Sequence, residues 1–133
     1  MAGDATVRVL IVDDQVPFRS AARTVVGLTP GFEVVGEAAS GEEAVDLAAQ
    51  LSPDLVLMDI NLPGINGVEA VRRILAARAE TIAFLLSTYA IGDLPHDARE
   101  CGAVAYVNKE DFGPGILREL WDNGGDPTWQ NPN

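Results

Sequence analysis

Three carboxylates, a hydroxyl and an ammonium stand where the apolar runs of this chain end. Asp13 and Asp14 follow residues 7–12, Asp59 lies in the run 55–60, Ser87 follows 82–86, and Lys109 comes just after 104–107. Singly, each is what a solvated surface supplies; together, at matching places along successive runs, they describe a polar site. Carboxylates about 5 Å apart repel by roughly 3 kcal/mol per pair at an effective dielectric near 20. Gathering three therefore calls for a cation or a raised pKa. With only oxygen donors on offer and no His or Cys near them in sequence, the cation is expected to be hard and divalent, magnesium rather than zinc. Such an ion keeps part of its water shell and binds a phosphate oxygen as well.

The elements that would bring these residues together follow from periodicity. β-rich apolar runs recur at residues 7–12, 32–35, 55–60, 82–86 and 104–107, separated by segments of helical period. Phe18, Ala21, Ala22 and Val25 keep the spacing of one helix face. Ser40 and Glu43 form a capping box ahead of Ala44, Leu47, Ala48 and Leu51. Asn66 and Glu69 cap a third helix that turns Val68, Val71 and Leu75 to the sheet. The fourth helical segment is weak: Gly92, Pro95 and Gly102 leave at most about two turns around residues 96–101. Pro114 suits the first turn of a last helix ending near Asp122. Nearly continuous apolar strands are covered on both faces, as parallel strands are. Right-handed crossovers then give an α/β, doubly wound, five-stranded parallel sheet between helical layers. In such sheets ligands bind beyond the carboxyl ends of the strands, where the five polar residues fall.

Composition narrows the function. The 133 residues suit one domain, residues 1–123, with GGDPTWQNPN at 124–133 reading as a flexible tail or truncated linker. A net charge of -11, from 20 acidic and 9 basic side chains, argues against unaided binding to nucleic acid or an anionic membrane. No apolar run reaches the roughly 18 residues of a spanning helix, and the first residues lack a signal-peptide pattern, so a cytoplasmic protein is expected. Cys101 is the only cysteine, which rules out an intrachain disulfide, and it reads as a small buried apolar residue. His96, the only histidine, reads as a surface residue.

The motifs VLIVDDQ, DLVLMDINLPGING, FLLST and CGAVAYVNK, in this order, resemble those of response-regulator receiver domains from about Val7 to Asp122. The segment GEAASGEEAVDLAAQ is most similar to receivers that carry helix-turn-helix outputs. The resemblance implies a flavodoxin-like fold of strand order 2-1-3-4-5 and a phosphorylation-activated switch of two-component signalling, not an enzyme, although it promotes its own phosphorylation and dephosphorylation. It makes Asp59 the phosphoacceptor. Asp13, Asp14 and the backbone carbonyl of Asn61 join Asp59 in holding Mg2+, or Mn2+ in its place, with Asp14 the most direct ligand. Ser87 becomes the switch hydroxyl, Lys109 the phosphate-binding ammonium and Tyr106 an aromatic that changes rotamer on activation, while Asn61 and Tyr89 tune the dephosphorylation rate. The donor is a sensor histidine kinase, a phosphotransfer protein or a small acyl phosphate. The chain is then either the receiver part of a DNA-binding transcription regulator or a stand-alone receiver acting by protein contacts, and the face formed by the fourth helix, fifth strand and fifth helix contacts an output domain, an effector protein or a second copy.

Glu110 departs from the family, standing where proline often follows the lysine. Two other classes share parts of the pattern. A flavin-binding protein of this fold needs a Ser/Thr- and Gly-rich phosphate loop after the first strand, and DDQVPFRS is not one. A magnesium-dependent phosphatase-like enzyme carries its aspartyl nucleophile on the first strand with an acid two residues on, whereas Gln15 follows Asp13 at that distance.

Overall fold

The computed structural model describes residues 6–130. Strands β1 (Val7–Val12), β2 (Phe32–Ala38), β3 (Leu55–Asp59), β4 (Ile82–Ser87) and β5 (Ala105–Asn108) form one sheet in the order β2-β1-β3-β4-β5. Every pairing is parallel, as the near-continuous apolar runs predict. Alternation along each strand feeds two cores. Leu10, Val12, Val56 and Met58 enter the one formed with helices α2 (Gly41–Leu51) and α3 (Gly67–Ala77). Val9, Ile11, Leu55 and Leu57 enter the other, formed with α1 (Val16–Gly27) and α4 (Pro114–Asp122). All of β3 is buried, which makes it the axis of both layers.

The helix starts follow their caps. Ser40 Oγ accepts from the Glu43 N–H at 3.1 Å, and Glu43 reaches back to the N–H of Ala39, one residue ahead of the cap, at 2.8 Å. Asn66 Oδ1 accepts from the Glu69 N–H at 2.9 Å. The buried face of α1 is centred on Ala22 and Val26; Ala21, expected on that face, is exposed. A slight rotation about the helix axis turns the contact toward Val26. On β2, an outermost strand, Glu37 is clamped from α1 by Arg23, whose Nε and second guanidinium nitrogen donate to it at 2.6 and 3.1 Å.

Two sequence expectations are corrected. The fourth helix is absent: single 3-10 turns at Ile91–Asp93 and Ala98–Glu100 occupy that stretch. Proline at 95 donates no backbone hydrogen bond, and Gly102 takes a left-handed φ of +105, so no α-helical ladder spans the segment. The supposed flexible tail is also packed as far as it is described, since a turn of helix, α5 (Pro127–Gln130), places Trp129 at 2% exposure. Residues 131–133, the rest of that stretch, lie outside the described residues. His96 is exposed and Cys101 buried, as read from sequence. Among the described residues no helix is long and apolar enough to cross a membrane.

Gly67, the first residue of α3, lies so close to the Asp59 carbonyl that a Cβ there would overlap it, and the Gly67 N–H donates to Ile60 O at 2.8 Å. Backbone of β3 and helix α3 thus fit through a position only hydrogen can fill. Gly67→Ala is expected to lower stability by about 1–3 kcal/mol, read as a lower urea midpoint at unchanged slope; an unshifted midpoint contradicts this packing.

Candidate functional site

Parallel winding puts the ends of β1, β3, β4 and β5 side by side, and the polar residues meet there. Asp13 leaves β1 fully buried, with Oδ1 accepting from the Gln15 N–H at 2.8 Å. Arg19 of α1 donates to the Asp13 carbonyl at 2.6 Å, which fixes the turn between strand and helix. Asp59 ends β3 at 4% exposure, and Asp14 is exposed at the rim. One carboxylate oxygen from each of Asp13, Asp14 and Asp59 lies within 4.8 Å of the others.

Lys109, just beyond β5, stands between two of them. Its Nζ is 2.6 Å from Asp13 Oδ2 and 3.4 Å from Asp59 Oδ2. The ammonium also lies 4.5 Å from the ring centroid of Phe18, which in turn packs on Phe112. That aromatic shelf, a cation–π contact, holds the lysine over the site. Asp13 Oδ2 nonetheless makes no hydrogen bond of acceptable geometry, so a buried anionic oxygen is left with charge contact alone. Burial, and next the charge of Asp13, raise the Asp59 carboxyl from 3.8 to about 6, against the opposing pull of Lys109 and of the Asn61 N–H, 3.4 Å from Oδ1.

A pocket of about 200 Å³ opens over these groups, lined by Asp14, Asp59, Asn61, Ser87, Tyr89 and Lys109 together with Gln15 and Thr88. The sequence reading named the first six; Gln15 and Thr88 enter only through the turns after β1 and β4. Phe18 was also missed in this role, read instead for its helix face, because its contact with Lys109 spans the chain. Ser87 Oγ accepts from the Tyr89 N–H at 2.9 Å and keeps its own proton for an acceptor. Tyr106 does not line the pocket. Its hydroxyl donates to the carbonyls of Ser87 at 3.1 Å and Tyr89 at 2.5 Å, tying β5 to the loop that does. Oxygen donors only, an excess of negative charge and an undirected Asp13 oxygen fit a hard divalent cation.

The sequence matches the family of the response regulator receiver domain over residues 9–120. The chain belongs to that family. The transcriptional regulatory protein DegU of Brevibacillus brevis is 35% identical over 104 residues, 78% of this chain and 44% of DegU. A protein-glutamate methylesterase/protein-glutamine glutaminase of Carboxydothermus hydrogenoformans is 42% identical over 106 residues, 79% of this chain and 30% of that protein. The crystal structure of a LuxR-family two-component response regulator from Aurantimonas superposes with a TM-score of 0.79 at 33% identity, covering 89% of this chain and 84% of that one. The chain thus spans less than half the length of these curated relatives and corresponds to their receiver. It is a receiver of phosphorylation-activated two-component signalling, and neither the flavin-binding nor the phosphatase reading is favoured.

The raised carboxyl fixes a pH dependence. A folded pKa of about 6 against 3.8 means that the folded state holds the Asp59 proton more tightly than the unfolded chain. The resulting stabilisation is fully present below about pH 4 and is lost as pH rises through about 6. Two units correspond to at most about 3 kcal/mol. In metal-free protein Asp59→Asn is expected to exceed wild type in stability at about pH 7.5 by up to that amount, with the gap closing below about pH 4. Parallel denaturation profiles across this range would refute the crowding of Asp59.

Proposed function

We propose that Asp59 accepts the phosphoryl group and that the surrounding residues act in the roles their positions suit. The observation that carries this reading is Lys109 Nζ poised between Asp13 and Asp59, in a pocket that Ser87 also lines. With a pKa of about 6, Asp59 is mostly ionised at neutral pH and presents a nucleophilic oxygen. That oxygen forms a bond to phosphorus while the P–N bond of a donor phosphohistidine breaks, and the departing imidazole takes up a proton. A carboxylate is a weak nucleophile, yet phosphoryl transfer through a loose transition state asks mainly for alignment and charge neutralisation. Lys109 meets one phosphoryl oxygen and the free Ser87 proton another.

Asp13, Asp14, Asp59 and the Asn61 carbonyl would hold Mg2+, or Mn2+ in its place. When bound, the ion would supply positive charge that offsets the carboxylates and the charge of the incoming phosphoryl group. Asn61 and Tyr89, both on the pocket wall, are placed to limit the approach of hydrolytic water and so tune the lifetime of the acyl phosphate. The phosphoryl donor is a sensor histidine kinase, a phosphotransfer protein or a small acyl phosphate. A transcription-regulating output fits the description of DegU as a transcriptional regulatory protein. A methylesterase output is the second reading, supported by the 42% identity to the Carboxydothermus protein.

Incubation with acetyl phosphate and magnesium, followed by intact-mass measurement, is expected to show a labile adduct that Asp59→Asn abolishes. Labelling that persists in the variant removes Asp59 from the role. Asp14→Ala is expected to weaken magnesium binding by about tenfold or more, and an unchanged affinity takes Asp14 out of the ligand set. Ser87→Ala should still be labelled but respond in part. One charge-assisted hydrogen bond contributes about 1.5–3 kcal/mol, whereas moving a population from 1:99 to 99:1 takes about 5.5. NMR shifts around Tyr106 with and without beryllofluoride measure that response, and an undiminished shift in Ser87→Ala excludes the hydroxyl as the coupling group.

A further inference from the structure

The chain beyond α4 turns back on itself and is held to the stretch that leads into β5 and to Tyr106 within it at several independent points. Gly124 and Gly125 take left-handed φ values of +73 and +121, and a Cβ on Gly125 would lie 2.5 Å from the Val104 carbonyl oxygen. The Gly125 N–H donates to Leu120 O at 2.8 Å and that of Asp126 to Val104 O at 2.9 Å. Asp126 Oδ1 then accepts from the Thr128 N–H at 2.9 Å and hydroxyl at 2.7 Å, which starts the single turn of α5. Trp129 is thereby carried into the core that contains Ala98, Cys101 and Ala103. Its indole N–H donates to Ala103 O at 3.1 Å. Arg99 closes over the outside, with its guanidinium 4.3 Å from the indole centroid and one nitrogen donating to the Trp129 carbonyl at 2.7 Å. The Tyr106 ring packs on the indole at 6.0 Å. An aromatic fixed through its N–H, its face and its backbone is an anchor of the kind that dominates binding interfaces.

That anchor touches Tyr106, which together with Asn108 joins β5 to the loop lining the Asp59 pocket. Tyr106 is held between the indole and the carbonyls of Ser87 and Tyr89. Ser87 Oγ, meanwhile, accepts from the Tyr89 N–H with its proton unspent. A phosphoryl oxygen in the pocket takes that proton without disturbing the rest, so it strengthens the same loop arrangement that Tyr106 and Trp129 already favour.

We propose that residues 125–130 are an intramolecular ligand of the β5 face, anchored by Trp129, whose docking and the binding of a phosphoryl group at Asp59 strengthen each other through Tyr106 and the Ser87–Tyr89 loop. The docking stands on the contacts alone; the coupling rests on the reading of Asp59 as phosphoacceptor. A protein that binds the β5 face has to displace this segment, and phosphorylation makes that displacement harder.

The test uses the full chain with Trp121→Phe, which leaves Trp129 as its only indole. Acrylamide quenching reports the burial of Trp129, and NMR of the 87–89 amides reports beryllofluoride binding in the presence of magnesium. In the parent, Trp129 is expected to be shielded, and more so with beryllofluoride. Gly125→Ala, which forbids the turn without touching Tyr106, is expected to expose the indole and weaken beryllofluoride binding about fivefold or more; Trp129→Ala should weaken it equally and Trp129→Phe less. Tyr106→Phe should leave Trp129 shielded but insensitive to beryllofluoride. An indole quenched as freely as in an unfolded peptide overturns the docking. A shielded indole with equal beryllofluoride affinity in parent, Gly125→Ala and Trp129→Ala overturns the coupling while Asp59 keeps its role. A shielded indole in a protein that binds no beryllofluoride overturns the coupling together with the phosphoacceptor reading.

Discussion

The structure turns on two buried carboxylates, Asp13 and Asp59, held close at the ends of adjacent strands with a single ammonium between them. Left to themselves the side chains would separate into water, where their repulsion falls severalfold. They stay because Val12 and Met58, the residues before them, are locked into a core that neither can leave without opening apolar surface. The packing of the sheet sustains an electrostatic imbalance at its upper rim, and that imbalance makes the rim receptive to a cation. Lys109 corrects it only in part and is itself steered by Phe18. Each partner in this balance comes from a different part of the chain, so the site exists only when the whole sheet is assembled.

The parts of this arrangement legible in the sequence were those governed by local periodicity. The apolar runs gave all five strands, β1 with its ends unchanged, β2 extended at its end and β3, β4 and β5 with ends shifted by one residue, and the Ser40 and Asn66 caps gave the starts of α2 and α3. The strand-end rule then gathers Asp13, Asp14, Asp59, Ser87 and Lys109 from the sequence alone. What stayed hidden depends on contacts distant in sequence. Phe18 and Lys109 stand on opposite sides of the chain's length, and no spacing rule links them. Residues 124–130 have the composition of a linker, and only the pocket under Arg99 turns one tryptophan into core. The stretch from Ile91 to Glu100 had the apolar content for a helix but not the uninterrupted backbone donors.

On the β5 side the weak fourth helical segment read from Gly92, Pro95 and Gly102 shortens further. In place of the expected α-helix of at most about two turns, that side offers two 3-10 turns and the packed segment that carries α5. Short turns have few internal hydrogen bonds, so their positions are set by what packs on them. On the proposed reading, a change at Ser87 and Tyr89 travels outward across such a surface through the side-chain contacts of Tyr106, not through the rigid displacement of a helix.

At the opposite border of the sheet, β2 carries Glu33 exposed and Glu37 tied to α1 by Arg23. An edge strand offers a row of unpaired backbone groups on which another chain can build, and charged side chains are a common way of discouraging it. In a chain of net charge -11 a second copy brings its own acidic border, so edge-to-edge growth at β2 sets like charges against each other. Glu33, the exposed carboxylate of β2, therefore opposes the addition of a sixth strand on that side, while Glu37 serves to hold α1 to the edge.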